Sequence, residues 1–144
     1  MYEAGYHYIT NADFSPVVVE EMKERNSHLD DMDCKKLQFK SSLDVEMDLT
    51  EPMDLLDSES FTVIIDKGTL DSVACSDQYS KKAKQMIDNL HRILAPGGCY
   101  ICFSYARPET RMLYLRDPNY KWQVEVQKIQ KKASIDVLER LDQE

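Results

Sequence analysis

Glycine is scarce in this sequence of 144 residues, and it never occurs in a G-x-G or G-x-G-x-x-G pattern. The four glycines are Gly5, Gly68, Gly97 and Gly98. Glycine-rich loops let a backbone approach a bound cofactor closely, because glycine carries no side chain. The printed sequence therefore contains no cofactor loop of that kind.

No stretch has the length and apolar character of a membrane span or a secretory signal. A helix that crosses a bilayer needs about 20 consecutive apolar residues, and no apolar run here approaches that length. Residues 1–10 contain neither a basic region nor a continuous apolar stretch. These absences predict a cytoplasmic protein that does not interact with membranes.

Residue patterns that bind metals or form redox pairs are missing as well. The three histidines are far apart along the chain. Cys99 and Cys102 have C-x-x-C spacing, but they stand in an apolar run with the character of a strand, where residues three apart point to opposite faces. We predict no metal site and interpret all four cysteines as small buried residues or free thiols. The four are Cys34, Cys75, Cys99 and Cys102.

Acidic residues outnumber basic ones, and the formal net charge is −8. Such a chain repels phosphate backbones, so nucleic acid is not expected as a partner. Cationic partners are favoured instead, either a basic, lysine-containing protein or a positively charged small molecule. Charge alone, however, is explained more simply by solubility.

Composition and periodicity predict one soluble α/β domain spanning residues 1–144. Apolar residues make up 42% of the chain and charged residues 31%. The segments with strand character are 6–12, 43–48, 61–65, 99–105 and 122–127. Helical segments are 16–26 with its Val18, Met22 and Arg25 on one side, 83–94, and 134–144. The continuous apolar runs suit parallel strands buried on both faces.

Three of the predicted strands end at an aspartate, namely Asp13, Asp48 and Asp66. Ligands of open parallel sheets bind at the carboxyl ends of the strands, where a carboxylate accepts hydrogen bonds from ribose hydroxyls or from the amino group of a base. Aspartate is equally common there as a cap or turn residue. The residue pattern alone leaves both interpretations open.

The run Asp66-Lys67-Gly68-Thr69-Leu70-Asp71 resembles a signature of the class I S-adenosylmethionine-dependent methyltransferases, in the methyltransferase-like family that includes lysine methyltransferases of elongation factors. The similarity extends over roughly residues 2–129. Its other segments are Asn11-Ala12-Asp13-Phe14-Ser15, 19–26, 47–50, 94–98, 107–114 and 122–124. The resemblance implies a Rossmann-like sheet, S-adenosyl-L-methionine as cofactor and a protein lysine as substrate.

The same resemblance implies a role for each matching residue. Asp13 would bind the ribose hydroxyls, with Phe14 beside the adenosine. Asp48 would accept the adenine amino group, with Leu49 near the ring. Asp66 and Lys67 would have the catalytic position, lining the floor near the sulfonium and the entering substrate. Methyl transfer asks mainly for alignment and exclusion of water, since the methyl group is already activated.

Two parts of the family pattern are absent from the printed sequence. The first strand and its glycine-rich loop would lie before Met1, so we expect an N-terminally truncated, incomplete sheet; residues 1–5 resemble the end of the helix that follows that loop. A charged segment, 134–144, replaces the last strand. The strands ending at Asp13 and Asp66 would then pair directly, or a partner chain would fill the gap. Exposed strand edges would also favour self-association.

Two classes of function follow from this pattern. The retained aspartates favour a protein-lysine methyltransferase. The missing glycine loop favours a catalytically inactive interaction module, or a truncated gene product whose complete form is active.

Overall fold

The computed structural model describes residues 1–27, 42–54, 56–75 and 81–129. The strands in these ranges are β1 (Ile9–Asp13), β2 (Ser42–Glu46), β3 (Phe61–Lys67) and β4 (Leu94–Phe103). The helices are α1 (Pro16–Asn26), α2 (Thr69–Ala74), α3 (Lys81–Ile93) and α4 (Pro108–Leu115), preceded by a 3₁₀ turn at Tyr2–Ala4. The chain divides into two compact units, Met1–Ala106 and Arg107–Glu144. The single domain remains a prediction.

The four strands form two separate parallel pairs, β1 with β2 and β3 with β4. This arrangement confirms the predicted α/β class and is consistent with the incomplete Rossmann-like sheet implied by the resemblance. The expected direct pairing of β1 with β3 is wrong for the described residues, because each of the two strands pairs only within its own sheet. Both sheets lie in the first unit.

Burial on both faces of the strands was also expected, and it is wrong for β3 and β4. Val63 and Ile65 are exposed, as are Ile101 and Phe103 of the neighbouring strand, whereas the alternating Ile64 is half-buried. Helix α2 contacts β3, and α3 contacts β4. The two helices therefore shield one face of this sheet, and the apolar residues of the opposite face remain open.

Helix α3 supplies most of the core residues found buried in the described part of the first unit, and it confirms the predicted amphipathic helix. Its buried residues recur every three or four positions, as one helical face requires. They are Ala83, Met86, Ile87, Leu90 and Ile93. Leu70 and Ala74 of α2 are buried as well, and α2 contacts α3. Each large side chain in this interface contributes about 1.5–3 kcal/mol by leaving water.

Helix α1 begins and ends where the sequence predicts. The Val18 N–H donates to Ser15 Oγ at 3.4 Å, and Pro16 occupies the first helical position, where its missing N–H is not needed. Of the residues placed on one side of this helix, Val18 and Arg25 are exposed, and the buried residue of the helix is Val19. Of three consecutive valines, only the last one points toward the sheet.

The second unit departs most from the sequence prediction. Residues 122–127 form no strand, although half-buried Trp122 and Val124 do alternate with exposed neighbours. They have no partner strand among the described residues, and an alternating pattern alone cannot make a ladder. Helix α4 was not predicted; it buries Tyr114 and Leu115, and Trp122 Nε1 donates to the Leu115 carbonyl at 2.8 Å. The predicted helix 134–144 lies outside the described residues.

Gly98 is predicted to be intolerant of any side chain. An added Cβ would lie 2.9 Å from the carbonyl oxygens of Thr62 and Ala95, which are backbone atoms that cannot move aside cheaply. Gly98→Ala should therefore destabilise the protein by about 1–3 kcal/mol in urea denaturation. Cys99, the exposed residue next to Gly98, provides the control. Cys99→Ala should change the free energy of unfolding by less than about 0.5 kcal/mol. A Gly98→Ala protein as stable as the wild type would contradict this packing.

Candidate functional site

A cleft of about 540 Å³ opens at the carboxyl ends of β1, β2 and β3, where ligands of parallel sheets bind. Its walls are the segments that follow these strands, the start of α2 and the first turn of α3. The lining residues are Ala12, Asp13, Phe14, Met47, Asp48, Leu49, Thr50, Lys67, Gly68, Thr69, Ser72, Val73 and Lys82. Five of the six residues singled out in the sequence are therefore brought together, and Asp66 is the exception.

Asp13 presents one carboxylate oxygen to the cleft without a protein partner. Its Oδ1 accepts a hydrogen bond from the Ser15 N–H at 2.9 Å, which fixes the carboxylate at the turn into α1. Its Oδ2 accepts none from the described residues, so it is available to a ligand hydroxyl. Phe14 follows directly and is 74% exposed, so its ring is open to an apolar ligand surface.

Asp48, like Asp13, uses one carboxylate oxygen in hydrogen bonds within the protein and leaves the other available. Its Oδ1 accepts hydrogen bonds from the Thr50 hydroxyl at 2.7 Å and the Thr50 N–H at 2.8 Å, and its Oδ2 accepts none from the described residues. The Thr50 hydroxyl and N–H lower the pKa of Asp48, outweighing its slight burial, and the positive charge of Lys82 adds to this. Asp48 is thus held as an anion.

The two carboxylates are joined through the backbone. The Met47 N–H donates to the Asp13 carbonyl oxygen at 2.8 Å, beyond the last ladder pair of β1 and β2. Asn89 of α3 donates to the carbonyl oxygens of Leu49 (2.9 Å) and Glu51 (2.8 Å), which fixes the segment after β2. The separation between Asp13 and Asp48 is therefore set by hydrogen bonds of the main chain.

Asp66 faces away from the cleft and supports its floor from below. The side chain is almost completely buried, with a relative exposure of 5%. Its Oδ1 accepts from the Thr69 N–H at 2.7 Å, and its Oδ2 accepts from the Leu70 N–H at 3.1 Å and the Tyr100 hydroxyl at 2.8 Å. Burial, with the nearby Asp66 charge, raises the pKa of Tyr100 far above its usual range, so this hydroxyl keeps the proton that it donates.

Lys67 belongs to the floor that Asp66 supports. It is exposed and lines the cleft together with Gly68 and Thr69. Gly68 has a φ of 86°, a left-handed conformation that favours glycine, and its N–H donates to the Phe103 carbonyl oxygen at 3.1 Å. The turn is thereby tied to the end of β4 as well as to Asp66.

Sequence reasoning missed several polar residues of the cleft. Thr50 and Thr69 follow an aspartate by two and three positions, and this short spacing is a local signal for a side chain that binds nearby backbone N–H groups. Lys82 carries no such signal, because the fold brings it there from the start of α3. Arg92 lies outside the cleft and fixes the segment that follows Thr50, because it donates to the carbonyl oxygens of Met53 (2.7 Å) and Leu56 (2.9 Å).

The described residues contain no cluster of three or more His, Cys, Asp or Glu side chains that could hold a metal ion. The described cysteines, Cys75, Cys99 and Cys102, are free thiols, and Cys34 lies outside the described residues. Among the helices of the described ranges, none is long and apolar enough to span a membrane. The residues that line the cleft offer carboxylate, hydroxyl and ammonium groups, a set suited to a polar organic ligand.

Comparison with known proteins relates the chain to methyltransferases. It is 38% identical over 110 residues to the eEF1A lysine and N-terminal methyltransferase of Bos taurus, covering 74% of this chain and 14% of the relative. It is 27% identical over 135 residues to the EEF1A lysine methyltransferase 4 of Mus musculus, covering 85% of this chain and 46% of the relative. A citrate synthase-lysine N-methyltransferase of Danio rerio is 31% identical over 107 residues, covering 74% of this chain and 41% of the relative.

No family model matches the chain. The chain spans well under two thirds of the length of each of these relatives. Their names agree on one chemistry, and the aligned region includes most of the described residues. The chain belongs to a methyltransferase-like family related to the eEF1A lysine methyltransferases.

The depressed pKa of Asp48 should depend on the Thr50 hydroxyl. Thr50→Val preserves the shape of a buried residue but removes this donor, so the pKa of Asp48 should rise toward the usual value of about 3.9. Because the folded-state pKa lies below the unfolded one, this contribution to stability is present at neutral pH. It is lost as the pH falls from the unfolded-state pKa of about 3.9 through the lower folded-state pKa.

Carboxyl-carbon NMR titration measures this pKa directly. Thr62→Val, at an exposed position of β3, is the matched control and should leave the Asp48 titration unchanged. An unaltered Asp48 pKa in Thr50→Val would contradict the assigned hydrogen bond.

Proposed function

We propose that the chain carries the S-adenosyl-L-methionine-binding cleft of a protein-lysine methyltransferase. One observation carries the proposal, namely that Asp13 and Asp48 each leave one carboxylate oxygen available on the same cleft. Two acceptors at adjacent strand ends match the two hydrogen-bonding parts of an adenosine, the ribose hydroxyls and the adenine amino group. The names of the relatives support the transfer of a methyl group to a protein lysine.

The cleft residues fit an adenosine in size and in chemistry. The volume of about 540 Å³ lies within the range of about 300–1,000 Å³ that is typical of small-molecule sites. In the proposed arrangement Asp13 holds the ribose hydroxyls and Asp48 accepts the adenine amino group. Phe14 and Leu49 supply apolar surface beside them. Charge-assisted hydrogen bonds of this kind are stronger than neutral ones, so the two aspartates dominate the affinity.

When bound, the cofactor supplies a methyl group that is already activated by its positively charged sulfur. The remaining task of the protein is to align the substrate nitrogen and exclude water. We assign the floor of this region to Lys67 and Gly68. Asp66 acts through that turn as a positioning residue, because its carboxylate is consumed by Thr69, Leu70 and Tyr100.

A basic, lysine-containing protein is the proposed substrate. The chain carries a net charge of −8, which attracts a cationic partner over a distance of about a Debye length and disfavours nucleic acid. The relatives named for eEF1A make eEF1A the first substrate to test. An inactive interaction module is the alternative, and it gives the available oxygens of Asp13 and Asp48 no role.

Calorimetric titration with S-adenosylhomocysteine, the product form of the cofactor, tests the proposal. The wild-type chain should bind it at one site. Asp13→Ala and Asp48→Ala should each weaken the affinity about 10- to 100-fold, the size of a lost hydrogen bond to a charged group.

Asp57→Ala is the matched control, since this aspartate is exposed and does not line the cleft. Its affinity should equal that of the wild type. A folded wild-type chain that does not bind S-adenosylhomocysteine would refute the proposed function.

A further inference from the structure

Resting on the proposed function, we propose that Tyr105 forms one wall of a subsite for the substrate lysine side chain. The subsite lies at the carboxyl end of β4, beside the cleft floor. Tyr105 combines a place at the edge of the sheet, a fixed backbone and a fully open ring.

The place of Tyr105 follows from the register of β3 and β4. Lys67 of the cleft floor lies opposite Phe103, and the Gly68 N–H is bonded to the Phe103 carbonyl oxygen. Tyr105 stands two residues beyond Phe103, at the same edge of the sheet. The proposed adenosine positions use the ends of β1 and β2, and the cleft floor is the end of β3. The end of β4 lies directly beside the end of β3, because the two strands are paired and parallel.

The backbone that carries Tyr105 is fixed to the wall of the cleft. Asp71 of α2 accepts hydrogen bonds from the Ser104 hydroxyl at 2.5 Å and from the Tyr105 N–H at 2.8 Å. The Ala106 N–H closes the turn by donating to Ser104 Oγ at 3.1 Å. Asp71 stands in the same helix as Thr69 and Ser72, which line the cleft. A fixed main chain limits the ring to its own two torsions, which lowers the entropy lost on binding.

The ring itself is completely exposed, at 100% of its reference area, and its hydroxyl bonds to none of the described residues. Single exposed aromatic residues are common and need no function. Tyr8 is such a residue, 69% exposed at the amino end of β1, away from the ligand edge. Tyr105 differs in its fixed backbone and its place beside the cleft floor. An aromatic face suits lysine, because it contacts the apolar stem and attracts the cationic head.

The test compares two ligands that differ only in a lysine arm. Both are S-adenosylhomocysteine analogues in which nitrogen replaces the sulfur; one carries a methyl group there and the other a lysine side chain. Calorimetry on the wild-type chain should show tighter binding of the ligand with the arm. In Tyr105→Ala the affinity for the ligand with the lysine arm should fall about tenfold, which corresponds to the loss of a partly desolvated cation–aromatic contact. Its affinity for S-adenosylhomocysteine should be unchanged.

Two further variants make the outcome specific. Tyr105→Phe keeps the aromatic face and should keep most of the gain, and Tyr8→Ala should keep all of it. A lysine arm that adds no affinity in the wild type, or a gain that survives Tyr105→Ala, would overturn the inference while leaving the proposed function intact. So would a loss in Tyr105→Phe as large as in Tyr105→Ala, because the hydroxyl and not the ring would then be responsible. Failure of S-adenosylhomocysteine to bind would instead refute the proposed function, and the lysine subsite with it.

Discussion

The hydrogen bond from the Met47 N–H to the Asp13 carbonyl oxygen, 2.8 Å long, extends the pairing of β1 and β2 past the last residues of their ladder. It places the two segments that leave the sheet side by side. Each of these segments then folds back on its own aspartate through a local hydrogen bond, from Ser15 in one case and Thr50 in the other. One oxygen of each carboxylate is used in this way, and the other is left for a ligand. The side-by-side arrangement of the two cleft aspartates depends on this backbone contact.

The aspartate at the end of β3 shows how burial changes the role of the same residue type. Asp66 uses both oxygens within the protein and is only 5% exposed. Buried carboxylates are tolerated only when their hydrogen bonds are satisfied, so Asp66 holds the Lys67–Thr69 turn with the energy of several charge-assisted bonds. This positioning contribution explains why an acidic residue belongs at that strand end even though it lines no part of the cleft.

Most of the correct predictions from the sequence came from local residue patterns. The boundaries of α1 follow from Ser15 and Pro16, the buried face of α3 follows from helical spacing, and the placement of Asp13 and Asp48 follows from the rule that ligands bind where parallel strands end. The burial of the Asp66 carboxylate could not be predicted from the sequence, because Tyr100, whose hydroxyl donates to it, lies 34 residues away. Lys82 reaches the cleft through the packing of α3, which no local pattern encodes. The prediction of a strand at 122–127 was wrong for a similar reason. A strand needs a partner strand, and alternating apolar and polar residues do not provide one.

The ligand cleft is formed by two separate strand pairs, β1 with β2 and β3 with β4. Helices α2 and α3 cover one side of β3 and β4, and the exposed side keeps its apolar residues open. Asn89 of α3 nevertheless ties the segment after β2 to the helix that contacts both α2 and β4. The two pairs therefore contribute to one ligand site, although no ladder within the described ranges joins them.

Backbone NMR of the chain, recorded with and without S-adenosylhomocysteine, shows whether Asp13 and Asp48 hold the ligand. The amide groups of Ser15 and Thr50 donate to the two cleft carboxylates and report on any ligand held by them. The account predicts large chemical-shift changes at these two amides and only small ones at Leu70, whose acceptor Asp66 is buried. Shifts confined to residues outside the cleft, or none at all at saturating ligand, would contradict it.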